Sequence, residues 1–198
     1  MRRFKIYIFL LPLFYFQIII GQKSSLSINI LGTIQDGGSP HIGCYKKCCK
    51  LLSQEEKNKR LVSSLGIVDI ENNNFFLFDA TPVIEKQIRL LNNNFKKELK
   101  LEGIFLTHAH IGHYSGLMYL GKEALGANRV DVFTMKRMFN FLKNNGPWSQ
   151  LVNEKNIVLN KIIENKKIVL NNNVSVIPIL VPHRDEFSET VGYYIKGS

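Results

Sequence analysis

The sequence predicts a mixed α/β domain in which sheets are covered by helices. Three observations predict it. Short apolar or alternating runs recur along the chain, helical periodicities fall between several of them, and the junctions carry Gly, Pro or Asn turn residues. An apolar fraction of 45% and a charged fraction of 21% over 198 residues suit one globular domain with a real core, and they exclude a disordered chain.

The first 21 residues are of another kind. Arg2, Arg3 and Lys5 make a basic start, Ile6 to Ile20 is an apolar run of 15 interrupted by Pro12 and Gln17, and Gly21-Gln22-Lys23-Ser24-Ser25 is small and polar. A lipid-spanning helix needs about 20 apolar residues. The shorter run with basic and small-residue flanks reads as a secretory signal peptide over residues 1–21, followed by one domain over 26–198. An uncleaved N-terminal anchor is the alternative. Cleavage implies an exported, periplasmic or extracellular protein with no membrane attachment afterwards.

Leu26 to Gly32 alternates and reads as the first strand, with Asp36-Gly37-Gly38-Ser39-Pro40 as a turn-rich loop after it. Leu51 to Arg60 is charged and permits a helix. Ser64 to Val68 and Phe75 to Phe78 read as paired strands joined at Asn72-Asn73-Asn74. Asp79-Ala80-Thr81-Pro82 opens a helix, with Thr81 as N-cap, Pro82 at the first helical position and Ile84, Ile88 and Leu91 at helical spacing. That helix is expected to end near Asn92. Gly116 to Leu125 is helix-like, Val130 to Phe133 is a short strand, and Met135 to Leu142 is a helix stopped by Asn144-Asn145-Gly146-Pro147. Lys167 to Leu170, Val174 to Val181 and Val191 to Ile195 read as strands. The last is followed at once by Lys196-Gly197-Ser198, which predicts a domain that lacks its C-terminal part.

The formal net charge is +10, and +7 once Arg2, Arg3 and Lys5 of the leader are set aside. The remaining lysines are dispersed, with no basic block interleaved with aromatics. That pattern argues for a solvated basic surface and against a nucleic-acid groove, while an anionic small-molecule substrate stays compatible. Oligomeric state leaves no mark on the sequence.

The chemistry concentrates in Thr107-His108-Ala109-His110-Ile111-Gly112-His113, directly after the apolar run Gly103 to Leu106. Scattered histidines are ordinarily polar or core residues. Here three of the chain's five fall within six residues after a strand. Side chains two apart in extended backbone point the same way, so His108 and His110 share one side, and a helix beginning near His113 aims a third ring into the same space. Imidazole is the commonest ligand for zinc-like ions, and the motif reads as the floor of a metal site. Cys44, Cys48 and Cys49 form a second cluster, in Gly43-Cys44-Tyr45-Lys46-Lys47-Cys48-Cys49. Two readings stay open for it: a structural zinc that borrows a fourth ligand, or a disulfide of the Cys44–Cys48 type.

The order of these features resembles the metallo-β-lactamase-fold superfamily, and within it the pyrroloquinoline quinone biosynthesis protein B family and its relatives. The similar pieces are Leu31-Gly32-Thr33 with Asp36-Gly37-Gly38 and Pro40, the Gly43-Cys44 loop, Ser63-Ser64-Leu65, Asp79-Ala80-Thr81-Pro82, the histidine motif with Gly116-Leu117, and Pro182-His183-Arg184-Asp185-Glu186 with Thr190-Val191-Gly192. The resemblance implies an αββα sandwich with a metal at one edge. By motif match it implies that His108, His110 and His183 form the first metal site. His183 also follows its own strand, as His108 does, although a lone loop histidine is often only hydrogen-bonded. Three imidazoles and an open position form the catalytic zinc arrangement. The cysteine loop falls where relatives carry a structural zinc, with a different spacing.

The chain departs from the family at Gly112, where the pattern has an aspartate that binds a second metal. Glycine supplies no ligand and His113 alone makes no second site, so one catalytic-type zinc is expected. Asp185 and Glu186 are candidate bases, against a plainer role at the surface or in an ion pair with Arg184. Asp79 either hydrogen-bonds the histidine loop or serves as a helix-start carboxylate. Three functions follow from the resemblance: an exported metallo-hydrolase using a metal-bound water on an ester, phosphodiester or amide; a cofactor-biosynthesis protein of the pyrroloquinoline quinone type; or a binding module that has lost catalysis.

Overall fold

A computed structural model describes residues 25–184 and 186–197. The predicted leader, and Asp185, lie outside the described residues. Two sheets form the centre. The first is six-stranded, in the order β1 (Leu26–Gly32), β2 (Ser64–Asp69), β3 (Asn74–Phe78), β4 (Lys100–Phe105), β5 (Val130–Thr134) and β6 (Ile157–Lys161). The first three strands run antiparallel and β3 to β6 run parallel. The second sheet is antiparallel, in the order β7 (Ile168–Val169), β8 (Val174–Leu180) and β9 (Val191–Gly197).

Strand alternation divides the apolar side chains between two layers. Phe75, Leu77, Ile104 and Leu106 face a helical layer that holds Ile84, Leu91, Leu117, Met138 and Leu142. Phe76, Phe78 and Phe105 face the other way, onto Val174, Val176, Tyr193 and Ile195 of the second sheet. There Phe105 stacks on Phe78 and Phe133 with centroids 5.0 and 4.3 Å apart. This is the layered sandwich the resemblance implies.

The helices are α1 (Lys47–Lys50), α2 (Gln54–Lys59), α3 (Ile84–Phe95), α4 (Ile111–Tyr114), α5 (Lys136–Asn144) and α6 (Trp148–Asn153). A capping box fixes the start of α2: Ser53 Oγ accepts from the Glu56 N–H, and the Glu56 carboxylate accepts from the Ser53 N–H. Several boundaries differ from expectation. Helix α3 begins two residues after Pro82, because Thr81 Oγ1 accepts from the Val83 N–H and donates to Gln87, making a turn first. It continues to Phe95, past Asn92, since Phe95 still packs on the core. The expected helix from Gly116 is a 3₁₀ segment, Ser115–Leu120. There Gly116 lies against the Ala80 and Thr81 backbone, where a Cβ would come within 2.1 Å of the Thr81 carbonyl oxygen. The sequence periodicity predicts neither α6 nor β6. Among the described residues no helix is long and apolar enough to cross a membrane.

Candidate functional site

The site gathers at the C-terminal ends of adjacent parallel strands. Asp79 follows β3 and Thr107 follows β4. Phe78 and Phe105 are paired in register, and the Asp79 N–H donates to the Phe105 carbonyl at 2.8 Å. Asp79 is buried with φ of 68°, a left-handed conformation that asparagine and aspartate tolerate better than most side chains. That turn aims its carboxylate across the strand ends. Oδ1 accepts from the Thr107 N–H at 2.8 Å, and Oδ2 accepts from Thr107 Oγ1 at 2.9 Å and His113 Nδ1 at 2.7 Å. Of the two roles open to Asp79 in the sequence, the geometry matches the one that holds the histidine loop. It does not start α3.

The hydrogen bonds assign the tautomers. Thr107 Oγ1 gives its proton to Asp79, so it accepts from His108 Nδ1–H at 2.8 Å. His108 Nε2 is left with a bare lone pair. It points at His110 Nδ1, 2.9 Å away, and His183 Nε2 lies 3.3 Å from the same His110 nitrogen. His110 turns its other nitrogen towards Glu186 Oε2 at 3.5 Å. Bare nitrogens this close repel unless a proton or cation lies among them. An ion bound at zinc–nitrogen distances holds tetrahedral nitrogens ~3.3 Å apart, so the trio fits such a cation. The ligand atoms of His108, His110 and His183 all lie within 4.8 Å of one another.

His113 is not one of the three. Its Nδ1 is committed to Asp79, and its ring lies 4.3 Å from that of His108, centre to centre. Burial and the neighbouring imidazoles drive the His108 pKa down to about 4. Burial also opposes charge on His113, but the hydrogen bond and charge of Asp79, with Asp36 behind, outweigh it and raise that pKa.

Two loops close the site, and sequence reasoning missed the residues that tie them. The Ala109 N–H donates to the buried Ser188 Oγ at 2.8 Å, and the Val191 N–H donates to the Thr107 carbonyl at 3.0 Å. These bonds fasten the His183 loop to the His108 loop. Arg137 donates to the carbonyls of Glu186 and Ser188, and Tyr193 OH donates to the Leu106 carbonyl at 2.6 Å between the sheets. Thr107 was visible only as the head of the motif, and nothing marked it as the link between Asp79 and His108. Glu186 lies at the exposed mouth. A hydrogen bond to its own backbone N–H holds its carboxyl below the usual range, with His110 and Arg184 acting in the same direction.

The cysteine loop needs a correction. The disulfide joins Cys44 to Cys49, not Cys44 to Cys48. Successive residues of α1 project in different directions, so Cys49 turns inward and is buried while Cys48 points to solvent as a free thiol. Cys44 and Cys49 therefore offer no thiolate to a metal in this state. The zinc reading requires reduction first, after which three sulfurs within 4.8 Å would be available. His41 is exposed and hydrogen-bonds the neighbouring Ile42 carbonyl.

A family model described as the beta-lactamase superfamily domain matches residues 74–198. Solved structures with the same architecture include zinc-bound PqqB from Methylobacterium extorquens, at 20% identity and a TM-score of 0.68, covering 86% of this chain and 61% of that one. A diphosphatase of the PhnP family follows at 24% identity and a TM-score of 0.63, with the same two coverages. The short form of human tRNase Z is similar at 14% identity and a TM-score of 0.51, over 86% of this chain and 64% of that one. No curated protein matches the chain in sequence. At these identities the likeness establishes the fold, and the chain spans less than two thirds of the length of these structures.

Proposed function

The chain belongs to the beta-lactamase superfamily, and from that membership we propose that it is a metal-dependent hydrolase centred on His108, His110 and His183. One observation carries the reading: three imidazole nitrogens from two chain segments, 73 residues apart between His110 and His183, converge within 4.8 Å of one another. A bound zinc-like ion supplies Lewis acidity and lowers the pKa of water.

The chain's own groups supply the rest. Asp79 and Thr107 hold His108 in the tautomer that leaves Nε2 bare. Ser188 and Val191 hold the second loop against the first. Glu186, ionised near neutral pH, stands at the mouth as the carboxylate that can take up a proton. The substrate proposed is a small molecule with an ester, phosphodiester or amide bond, and the basic surface favours an anionic one. Export is part of the proposal and rests on residues 1–21; N-terminal sequencing of protein from the producing cell checks it.

The test is metal content together with turnover of one chromogenic substrate of each bond class. We expect near-stoichiometric metal and turnover of at least one substrate, with His110→Ala losing the metal and at least about 100-fold in rate. Wild-type rates in His110→Ala would sink the reading. Retained metal with no turnover on any substrate would turn it into a binding module.

A further inference from the structure

The turn after β1 packs onto the histidine loop at the one place where that loop has no side chain. A Cβ at Gly112 would lie 2.5 Å from both the Cβ and the carbonyl oxygen of Asp36, and 2.7 Å from its Cα. Only glycine admits this approach. An aspartate at 112 has no room while the turn stays where it is.

Asp36 sits at the corner of that turn, which closes on itself. The Gly38 N–H donates to the Gln35 carbonyl at 2.9 Å, and the Gln35 side chain donates to the Gly38 carbonyl and accepts from the Gly37 N–H. A bridge between Ile34 and Val62, and a Ser63 N–H bond to the Ile34 carbonyl at 2.8 Å, anchor the turn to the sheet. The backbone thus holds Asp36 against Gly112 without help from its carboxylate. The residue is half-buried, and among the described residues that carboxylate has no hydrogen-bond or ion-pair partner. Its charge acts on the rings of both His108 and His113. His113 gives Nδ1 to Asp79, and its Nε2 has no hydrogen-bond partner among the described residues.

An unengaged carboxylate on the turn packed against Gly112, and an unengaged imidazole nitrogen on the next residue, whose ring lies 4.3 Å from that of His108, thus meet at one edge of the site. We propose that Asp36 is a metal ligand of this chain, its carboxylate and His113 Nε2 holding a second divalent cation next to the His108–His110–His183 site. The inference rests on reading that trio as a metal centre. It replaces the expectation that Gly112 limits the protein to one ion: the position gives up its own side chain and admits an acid delivered from the first loop. A carboxylate with an imidazole is a fitting pair for zinc or manganese.

The experiment is a zinc titration of metal-free protein against a chromophoric chelator. Wild type is expected to bind two equivalents, the second more weakly. Asp36→Asn, which is nearly isosteric, should keep the tight equivalent and weaken the second by at least about tenfold. Gly112→Ala displaces the turn without touching the carboxylate and should weaken the second equivalent in the same way. Two unchanged equivalents in Asp36→Asn, or a single equivalent in wild type, overturns the proposal. The two readings fail differently. If the trio is not a metal centre, wild type shows no tight equivalent that His110→Ala removes. If only Asp36 is wrongly assigned, that equivalent is present in wild type and Asp36→Asn leaves the titration unaltered.

Discussion

The inner and outer halves of the site are built on different terms. Asp79, Thr107, His108 and His113 form the inner half, where every polar side chain is engaged with a neighbour of fixed position. His110, His183 and Glu186 form the outer half. Its rings are 5.0 Å apart and nearly crosswise, His183 is exposed, and Glu186 reaches His110 only at 3.5 Å. The inner half is an extension of the sheet, and the outer half arrives on a loop. The fold itself fixes the first, and the second is where a bound cation would have most to organise.

The sharpest way to break that contrast is to remove one group from each half. Asp79→Ala strips the Thr107 N–H, the Thr107 hydroxyl and His113 of their acceptor in a buried place, and should cost the metal-free protein roughly 3 kcal/mol in denaturant unfolding. His183→Ala should leave that unfolding curve within about 0.5 kcal/mol of wild type while abolishing tight metal binding. Equal destabilisation by the two variants would end the distinction.

A second test sets two rings of the inner half against each other in the metal-free protein. His108 has a folded pKa near 4, against 6.5 for an ordinary histidine. Between those values the unfolded chain holds the proton and the folded one does not, so stability falls as pH drops from 6.5 towards 4, by of order 2 kcal/mol. His113 has the opposite sign. Its raised pKa contributes stability that is fully present below 6.5 and is lost as pH rises through the folded value. Unfolding curves across this range should show the acid-side loss in wild type and not in His108→Gln. A flat profile in wild type would refute the assignment.

The smallest effect sharpens the comparison within the inner half. Thr107→Val keeps the shape and deletes the hydroxyl between Asp79 and His108, freeing the tautomer. It should cost about 1 kcal/mol of stability and about tenfold in affinity for the first metal, read by chelator competition. Unchanged affinity would show that the tautomer needs no fixing.

Much of this site was legible because its histidines sit at strand ends. The run Gly103 to Leu106 announced β4, Val174 to Val181 announced β8, and a histidine followed each. What sequence could not show depends on the third dimension. Asp36 lies 76 residues before Gly112, and only the packed turn reveals that the glycine is a contact as well as a missing acid. Ser188 looked like any loop serine, because its partner, Ala109 N–H, is a backbone group that any residue there could offer. The cysteine pairing depended on where α1 begins, since a shift of one residue exchanges which sulfur faces inward.

The neighbouring placement of β3 and β4 has a further consequence. Asp79 and Thr107 leave the sheet one strand spacing apart, and that spacing, ~4.8 Å, belongs to the peptide backbone and to no particular side chain. The ruler that positions the chemistry is thus common to every sequence that makes this pair of strands.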